Sequence, residues 1–383
     1  MGGSSSSDIE VSVVIPTRDE EKTIATCIRK VQETFIKNNI KGEIIVSDSS
    51  SDRTGEIATR MGARVVHPAH AGYGAAYLDA FPLAQGKKVV MGDGDDTYDF
   101  SELPLLLGPL DNGADMVIGS RFMGTITRGS MKSLHRYIGN PLLTRMINFV
   151  YGVSLSDAHS GFRAIRRDKL EKLELHTPGM EFASEMLIEA SKKNLAIEEV
   201  PVNYYPRKSS SKLHSFADGW RHVRLVLLHR PFPFIALPGL VFAFAGLMLI
   251  GIFSLQGNIE SQHLHSFILG ALMLIGGFQV IFFSVLIRIY SVIQGFEERK
   301  GFIDKIMNYH NLEKMLAVGG VLFIIGLYIG IELILTWSGK NFGYLFEIIP
   351  AISAFTLTII GLEIITASIF ISMMLLTDQA STY

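Results

Sequence analysis

The stretch that decides the fold is KVVMGDGDDTY, Lys88–Tyr98. Lys88–Gly92 is a short apolar run that reads as a buried strand. The chain turns polar at once with Asp93-Gly94-Asp95. Two close carboxylates repel each other and favour a hard divalent cation with oxygen ligands. Mg2+ or Mn2+ held there bridges to a diphosphate and stabilises it as a leaving group. Asp96 and Thr97 add nearby oxygens, and Thr97 joins Asp93 and Asp95 in the candidate metal set. Taken alone, an Asp-x-Asp element is equally a polar loop or a helix cap. What surrounds it decides.

Working outward, strand and helix signals alternate. Val11–Pro16 is an apolar run ending in proline, and Glu21–Asn38 carries Ile24, Ile28, Val31 and Phe35 on one helical face. Ile44–Ser47, Arg64–His67 and Met116–Gly119 read as further strands, and Thr54–Met61 and Ala75–Ala84 as helices. This order predicts a parallel, doubly wound α/β sheet. Ligands of such sheets bind outside the carboxyl ends of the strands. The polar residues stand there. Pro16, Thr17, Arg18 and Glu20 close or follow the first strand, and Asp48 and Asp52 follow the second. His70 and Gly72-Tyr73-Gly74 follow the third, Asp93-Gly94-Asp95 the fourth, and Ser120 and Arg121 the fifth. Five placements on one rim describe a site. Asp48 and Asp52 suit hydrogen bonds to a ribose or base, and Asp52 equally suits a helix N-cap. Gly72 and Gly74 allow backbone to approach a ligand closely. The Gly-x-Gly-x-x-Gly spacing of dinucleotide enzymes is missing.

Of the 383 residues 48% are hydrophobic, and they are unevenly spread. Beyond Arg230 come four long apolar stretches: Phe232–Leu255, Phe267–Ile287, Met315–Trp337 and Leu345–Leu376. Each exceeds the roughly 20 residues that cross a bilayer core. Basic residues mark the cytosolic side. Arg221, Arg224 and Arg230 precede the first span, and Arg288, Arg299, Lys300, Lys305 and Lys314 lie between the second and third. The soluble half and the C-terminus are therefore expected in the cytosol, beneath a cell membrane or an endoplasmic-reticulum membrane. The absence of a secretory signal and the single cysteine, Cys27, agree. Glu332 and Glu363 fall inside spans, where carboxylates are functional candidates. The net charge of −2 argues against a nucleic-acid partner. The expected organisation is 1–8 as an appended or disordered start, 9–211 as the soluble domain, 212–231 as an interfacial amphipathic region and 232–383 as the membrane domain. In the interfacial region Phe216, Trp220, Val223 and Leu227 recur at helical spacing.

The rim segments resemble the family-2 glycosyltransferases, particularly the polyprenyl- and dolichyl-phosphate sugar synthases. The matching segments are VVIPTRDEE (Val13–Glu21), SDSSSDRT (Ser47–Thr54), AGYGAA (Ala71–Ala76), GDGDDTY (Gly92–Tyr98), GSRF (Gly119–Phe122), SDAHSGFRA (Ser156–Ala164), GMEFASEM (Gly179–Met186) and RKSSSKL (Arg207–Leu213). Many relatives have an aromatic residue and Asn where this chain has Arg18-Asp19. The resemblance implies a GT-A fold, a nucleotide-sugar donor and inversion at the anomeric carbon. It implies that Asp93, Asp95 and Thr97 hold metal and diphosphate. It also implies that Asp157 is catalytic base or organiser, and that Arg121 and Arg163 lie near phosphates. Asp157, Asp95 and Arg121 form the expected catalytic set.

A lipid phosphate is already ionised, so the demand on the enzyme is to place two anions beside one anomeric carbon. Cations must screen them. Arg136, after Arg128 and Lys132, and Arg207, Ser211 and Lys212 before the membrane are the further candidates for the acceptor phosphate. Glu181 and Glu185 share a helix face, either toward the acceptor or as structural groups. Asp157, His159 and Ser160 are too local for a hydrolytic triad. The partners expected are a nucleotide sugar, polyprenyl or dolichyl phosphate and membrane lipids, with homo-oligomerisation open. UDP-glucose leads by resemblance, ahead of GDP-mannose and UDP-N-acetylglucosamine. The competing readings are a processive polysaccharide synthase, whose Gln-x-x-Arg-Trp element is absent, and a lipid-linked sugar flippase or transporter.

Overall fold

The computed structural model describes residues 9–208, 215–255, 263–297, 299, 301–343 and 347–380. The chain divides into two compact units, Met1–Leu225 and Val226–Tyr383.

The first unit is built from β1 (Val11–Thr17), α1 (Ile24–Lys37), β2 (Gly42–Asp48), α2 (Thr54–Arg60), β3 (Arg64–Val66), α3 (Tyr73–Ala80) and β4 (Lys88–Met91). It continues with α4 (Leu103–Asp111), β5 (Met116–Ser120), α5 (Asn140–Tyr151), β6 (Arg163–Arg166), α6 (Arg167–Leu170), α7 (Phe182–Lys192) and β7 (Ile197–Pro201). Strand order is β3-β2-β1-β4-β6-β5-β7. The expectation of a wholly parallel sheet needs correction: β6 lies antiparallel between β4 and β5. The sheet is mixed.

Apolar periodicity explains the first layers. Ile24, Cys27, Ile28, Val31 and Phe35 of α1 are buried, a single stripe at helical spacing. They join Val11, Val13 and Ile15 of β1 in one core. Each large side chain contributes roughly 1.5–3 kcal/mol by leaving water. Ile28→Asp would bury an unpaired charge in that core and break the contact.

Register sets the rim. β1 pairs Thr17 with Asp48 of β2, and Val14 with Met91 of β4. Asp93–Asp95 therefore leave the sheet at the edge where Thr17 and Asp48 end. Arg163 pairs with Met91 on one side and Ile118 on the other, so Ser120 and Arg121 leave at the same edge.

Helix α8 (Ser215–His229) buries His222, Leu225, Val226 and His229 and leaves Trp220 exposed. The buried stripe is the face turned away from the one that carries Trp220.

The second unit contains α9 (Leu237–Leu255), α10 (Leu264–Ile293), the short α11 (Phe302–Ile306), α12 (Tyr309–Gly339) and α13 (Ile348–Ala380). Among the described residues, four stretches are long and apolar enough to cross a membrane: Phe232–Ser254, Leu264–Ile293, His310–Gly339 and Ile348–Leu376. Leu345 of the expected fourth span lies outside the described residues. Glycines let paired helices touch. A Cβ on Gly277 of α10 would lie 2.3 Å from Ala243 N of α9, and one on Gly361 of α13 would lie 2.5 Å from Phe323 N of α12. Glu332 is exposed on α12, whereas Oε2 of Glu363 is shut from solvent without a hydrogen-bond partner among the described residues.

Candidate active site

The acid loop after β4 is gripped from α1. Thr23 Oγ1 donates to Gly94 O at 2.8 Å, and Lys30 Nζ donates to Asp96 Oδ1 at 2.9 Å. Asp96 has φ +60°, a left-handed conformation that costs a non-glycine residue energy. Its carboxylate is held by Lys30 and, at 2.6 Å, by Lys208. Asp95 is buried, and its Oδ1 accepts from Thr97 Oγ1 at 2.6 Å and Thr97 N at 3.1 Å. Thr97 thus fixes the Asp95 carboxylate. Arg207 reaches the same group, with Nε 3.1 Å from Asp95 Oδ2 and Nη2 2.7 Å from Glu20 Oε1. Burial, then the charge of Asp95, pushes the Asp93 carboxyl up to about 7. Arg207 and Arg121 offset part of this shift. Among the described residues no group of three His, Cys, Asp or Glu side chains could hold a metal alone. Two carboxylates nevertheless suit Mg2+ or Mn2+, which commonly takes one or two carboxylates and completes its shell with substrate phosphate and water.

The edge formed by the ends of β1 and β2 is preorganised. Thr17 Oγ1 donates to Asp48 Oδ1 at 2.8 Å, and His67 Nδ1 lies 3.0 Å from Asp48 O. Asp52 accepts from Thr54 N at 2.9 Å and Glu21 N at 3.2 Å, so this carboxylate ties two loops together. Pro16 is half-buried in β1 and Arg18 is exposed. Gly72 and Gly74 are required by contact. A Cβ on either would lie 2.1 Å from a backbone carbonyl, of Pro178 and Thr177 respectively. Tyr73, between them, brings its hydroxyl beside Asp93: both would lie 2.9 Å from a Cβ on Gly161.

The arginines separate. Arg121 makes a two-pronged pair with Asp157, Nε to Oδ2 at 2.7 Å and Nη2 to Oδ1 at 2.8 Å. Its guanidinium also stands over the Tyr204 ring, 5.2 Å from the centroid. Asp157 is fully buried, and its backbone amide donates to Glu199 Oε1 at 3.0 Å. Arg163 is 1% exposed and donates to three backbone carbonyls: Ser160 at 2.7 Å, Ala183 at 2.7 Å and Ala158 at 2.8 Å. All three of its nitrogens are committed to the fold and the side chain is buried, which argues against the expected phosphate contact. Arg136 is half-buried, with its guanidinium 5.5 Å from the Tyr137 ring centroid. Ser211 and Lys212 lie outside the described residues.

Three features escaped the sequence reading. Glu199 holds the Asp157 segment, Lys30 holds Asp96, and Leu134, Ile138, Leu142 and Phe149 are all more than half exposed, at 55%, 59%, 54% and 71%. The spacing of that apolar stripe was readable, but a stripe at helical spacing ordinarily marks core.

Comparison with known proteins finds relatives of both parts of the chain. The model for Glycosyl transferase family 2 matches residues 12–174, and that for the Glycosyltransferase family 2 C-terminal transmembrane region matches residues 285–375. The chain is 41% identical over 379 residues to the low-salt glycan biosynthesis hexosyltransferase Agl6 of Haloferax volcanii, covering 95% of this chain and 89% of that one. It is 36% identical to a dolichyl-phosphate hexose transferase of the same organism, over 55% of this chain and 89% of that one. It is 31% identical to a polyprenol monophosphomannose synthase of Mycolicibacterium smegmatis, over 51% of this chain and 77% of that one.

Proposed function

Since the chain belongs to glycosyl transferase family 2, we propose that it moves a hexose from a nucleotide-diphosphate sugar to a polyprenyl or dolichyl phosphate. The chain is a GT-A glycosyltransferase with a multi-pass membrane region. The proposal adds the lipid acceptor, UDP-glucose as the favoured donor, inversion, and work at the cytosolic face. The acid loop carries the reading: two adjacent carboxylates at a sheet edge, Asp93 pushed up to about 7 by burial and by Asp95.

Asp93 and Asp95 would hold Mg2+ or Mn2+, which when bound would supply positive charge to the diphosphate leaving group. Thr97 orients Asp95. Thr17, Arg18, Glu20, Asp48 and Asp52 bound the nucleoside edge, and Gly72 and Gly74 let the loop that carries Tyr73 pack against the Thr177–Pro178 backbone. Arg121, fixed by Asp157, presents positive charge to the reacting phosphates. A phosphate acceptor is ionised before it binds and requires no proton abstraction. Asp157 is therefore a positioning residue rather than a base. Arg136 and Arg207, with Ser211 and Lys212, take the acceptor phosphate, and Arg163 is a scaffold. The exposed stripe from Leu134 to Phe149 supports a lipid partner for the catalytic unit.

The test is purified protein in detergent with dolichyl phosphate and labelled UDP-glucose, GDP-mannose or UDP-N-acetylglucosamine. One donor is expected to yield a labelled lipid with a single sugar, cleaved by mild acid. A polymer, or no labelled lipid from any donor, contradicts the proposal.

A further inference from the structure

The helical segment after β5 has two working faces. A π-helical turn, His135–Gly139, runs without a break into α5. One face is buried, with Leu143, Thr144 and Ile147. The other is bare. Leu134, Tyr137, Ile138, Leu142 and Phe149 recur at helical spacing, and each is more than half exposed. A single exposed apolar side chain, such as Ile36 on α1, is ordinary. A contiguous row marks a surface that meets something apolar.

The charges around the bare row have one sign. From Met116 to Ser156 the chain contains no Asp or Glu, in a protein whose net charge is −2. Besides Arg121, which is committed to Asp157, that stretch holds Arg128, Lys132 and Arg145, all exposed, and the half-buried Arg136. An apolar helix face flanked by cations alone is the chemistry that seats a helix in the interface of an anionic leaflet. A second copy meeting this face two-fold would set the same cations against each other.

The polar side chains of α5 fasten it to the site. Asn148 Nδ2 donates to Leu155 O at 2.8 Å, and Asn148 Oδ1 accepts from Leu155 N at 3.1 Å. Thr144 Oγ1 accepts from Ala158 N at 3.2 Å. Between those two attachments stands Asp157, the partner of Arg121. What holds the helix in place therefore also holds Arg121.

We propose that the Leu134–Phe149 face is a leaflet-binding surface, its apolar row entering the interface of an anionic monolayer with Lys132 and Arg145 at the headgroup phosphates. The inference deepens the lipid-acceptor reading, on which its consequence for transfer rests. The bilayer surface becomes the reference from which Arg121 meets a lipid phosphate.

The test is electron paramagnetic resonance on the full chain in lipid nanodiscs, with one nitroxide on Leu134→Cys, Ile138→Cys, Leu142→Cys or Phe149→Cys and on Ile36→Cys as the reference. Cys27 is buried, and wild type is the control for stray label. The four row positions are expected to collide with oxygen in preference to a water-soluble nickel chelate, and position 36 the reverse. Raising the phosphatidylglycerol share should strengthen that preference, but not once Lys132→Glu and Arg145→Glu are added. Transfer gives a second reading. Leu142→Glu with Phe149→Glu should raise the KM for dolichyl phosphate about tenfold or more, the worth of a buried apolar side chain, and leave the KM for nucleotide sugar within about twofold. Row positions that match position 36, or an unchanged KM for dolichyl phosphate in the glutamate pair, overturn the proposal. So do row positions shielded from both reagents with the nitroxides of two copies close together, which would make the face a contact between copies. Oxygen preference in a protein that transfers no sugar to lipid leaves the surface standing and overturns the acceptor reading alone.

Discussion

The acid loop at Gly92–Thr97 and the arginine pair Arg121 and Arg163 are both buried and polar, yet they are satisfied by opposite means. Asp95 and Asp96 meet long cations that reach in from solvent: Lys30, Lys208 and Arg207, with side chains 30%, 57% and 25% exposed. Arg121 and Arg163 meet partners that cannot leave, the fully buried Asp157 and three backbone carbonyls. A flexible surface cation can give way to another cation at small cost. A buried carboxylate or carbonyl has no substitute partner. Cation exchange therefore belongs to the acid loop, while Arg163 holds the shape around it and Arg121 stays fixed on Asp157. The two regions offer charge in different ways: the acid loop can exchange its cations, and Arg121 is a fixed one.

The largest effect that would break this contrast is on stability at Arg163. Arg163→Met removes the donors of three buried carbonyls, each worth about 1–3 kcal/mol when left unpaired. Chemical denaturation is expected to show a loss of about 4 kcal/mol. A loss below about 1 kcal/mol would mean that the guanidinium is free for a ligand after all.

A smaller effect sharpens the fixed side of the comparison. Ser184 Oγ lies 2.8 Å from His222 Nδ1 and 3.2 Å from His159 Nε2, joining α8 to the Asp157 segment. Burial, then Arg163, lowers His222 from 6.5 to about 4. The fold accommodates the neutral ring. Above about pH 6.5 both folded and unfolded forms are neutral, and the contribution is fully present. As pH falls, the unfolded chain takes the proton first, and stability declines until about pH 4, where the folded ring also protonates. The total is about 3 kcal/mol at most. Thermal melting between pH 7 and 4 should show this slope in wild type and a shallower one in His222→Asn. Equal slopes would remove His222 from the account.

Much of the site was legible because strand ends are legible. An apolar run followed at once by Thr, Asp or Ser gave β1, β2, β4 and β5, and their common direction aligned their ends. β6 was missed because Arg-Ala-Ile-Arg, Arg163–Arg166, is short and charged at both ends. It is buried only because carbonyls from Ala158, Ser160 and Ala183 converge on Arg163, a fact of tertiary structure. β7 contains Glu198 and Glu199, and Glu199 is tolerated because the amides of Ser156 and Asp157 donate to it. Glu181 and Glu185 show the same limit. Their spacing puts both on one helix face, but only the fold pairs Glu185 and leaves Oε2 of Glu181 without a partner among the described residues.

The most direct measurement is Mn2+ titration by electron paramagnetic resonance, with and without UDP or GDP, on wild type and Asp95→Asn. The account predicts that wild type binds Mn2+, that one nucleotide tightens it, and that Asp95→Asn weakens binding by about a hundredfold or more while melting like wild type. Unchanged Mn2+ and nucleotide binding in Asp95→Asn would contradict the claim that the acid loop is the donor site.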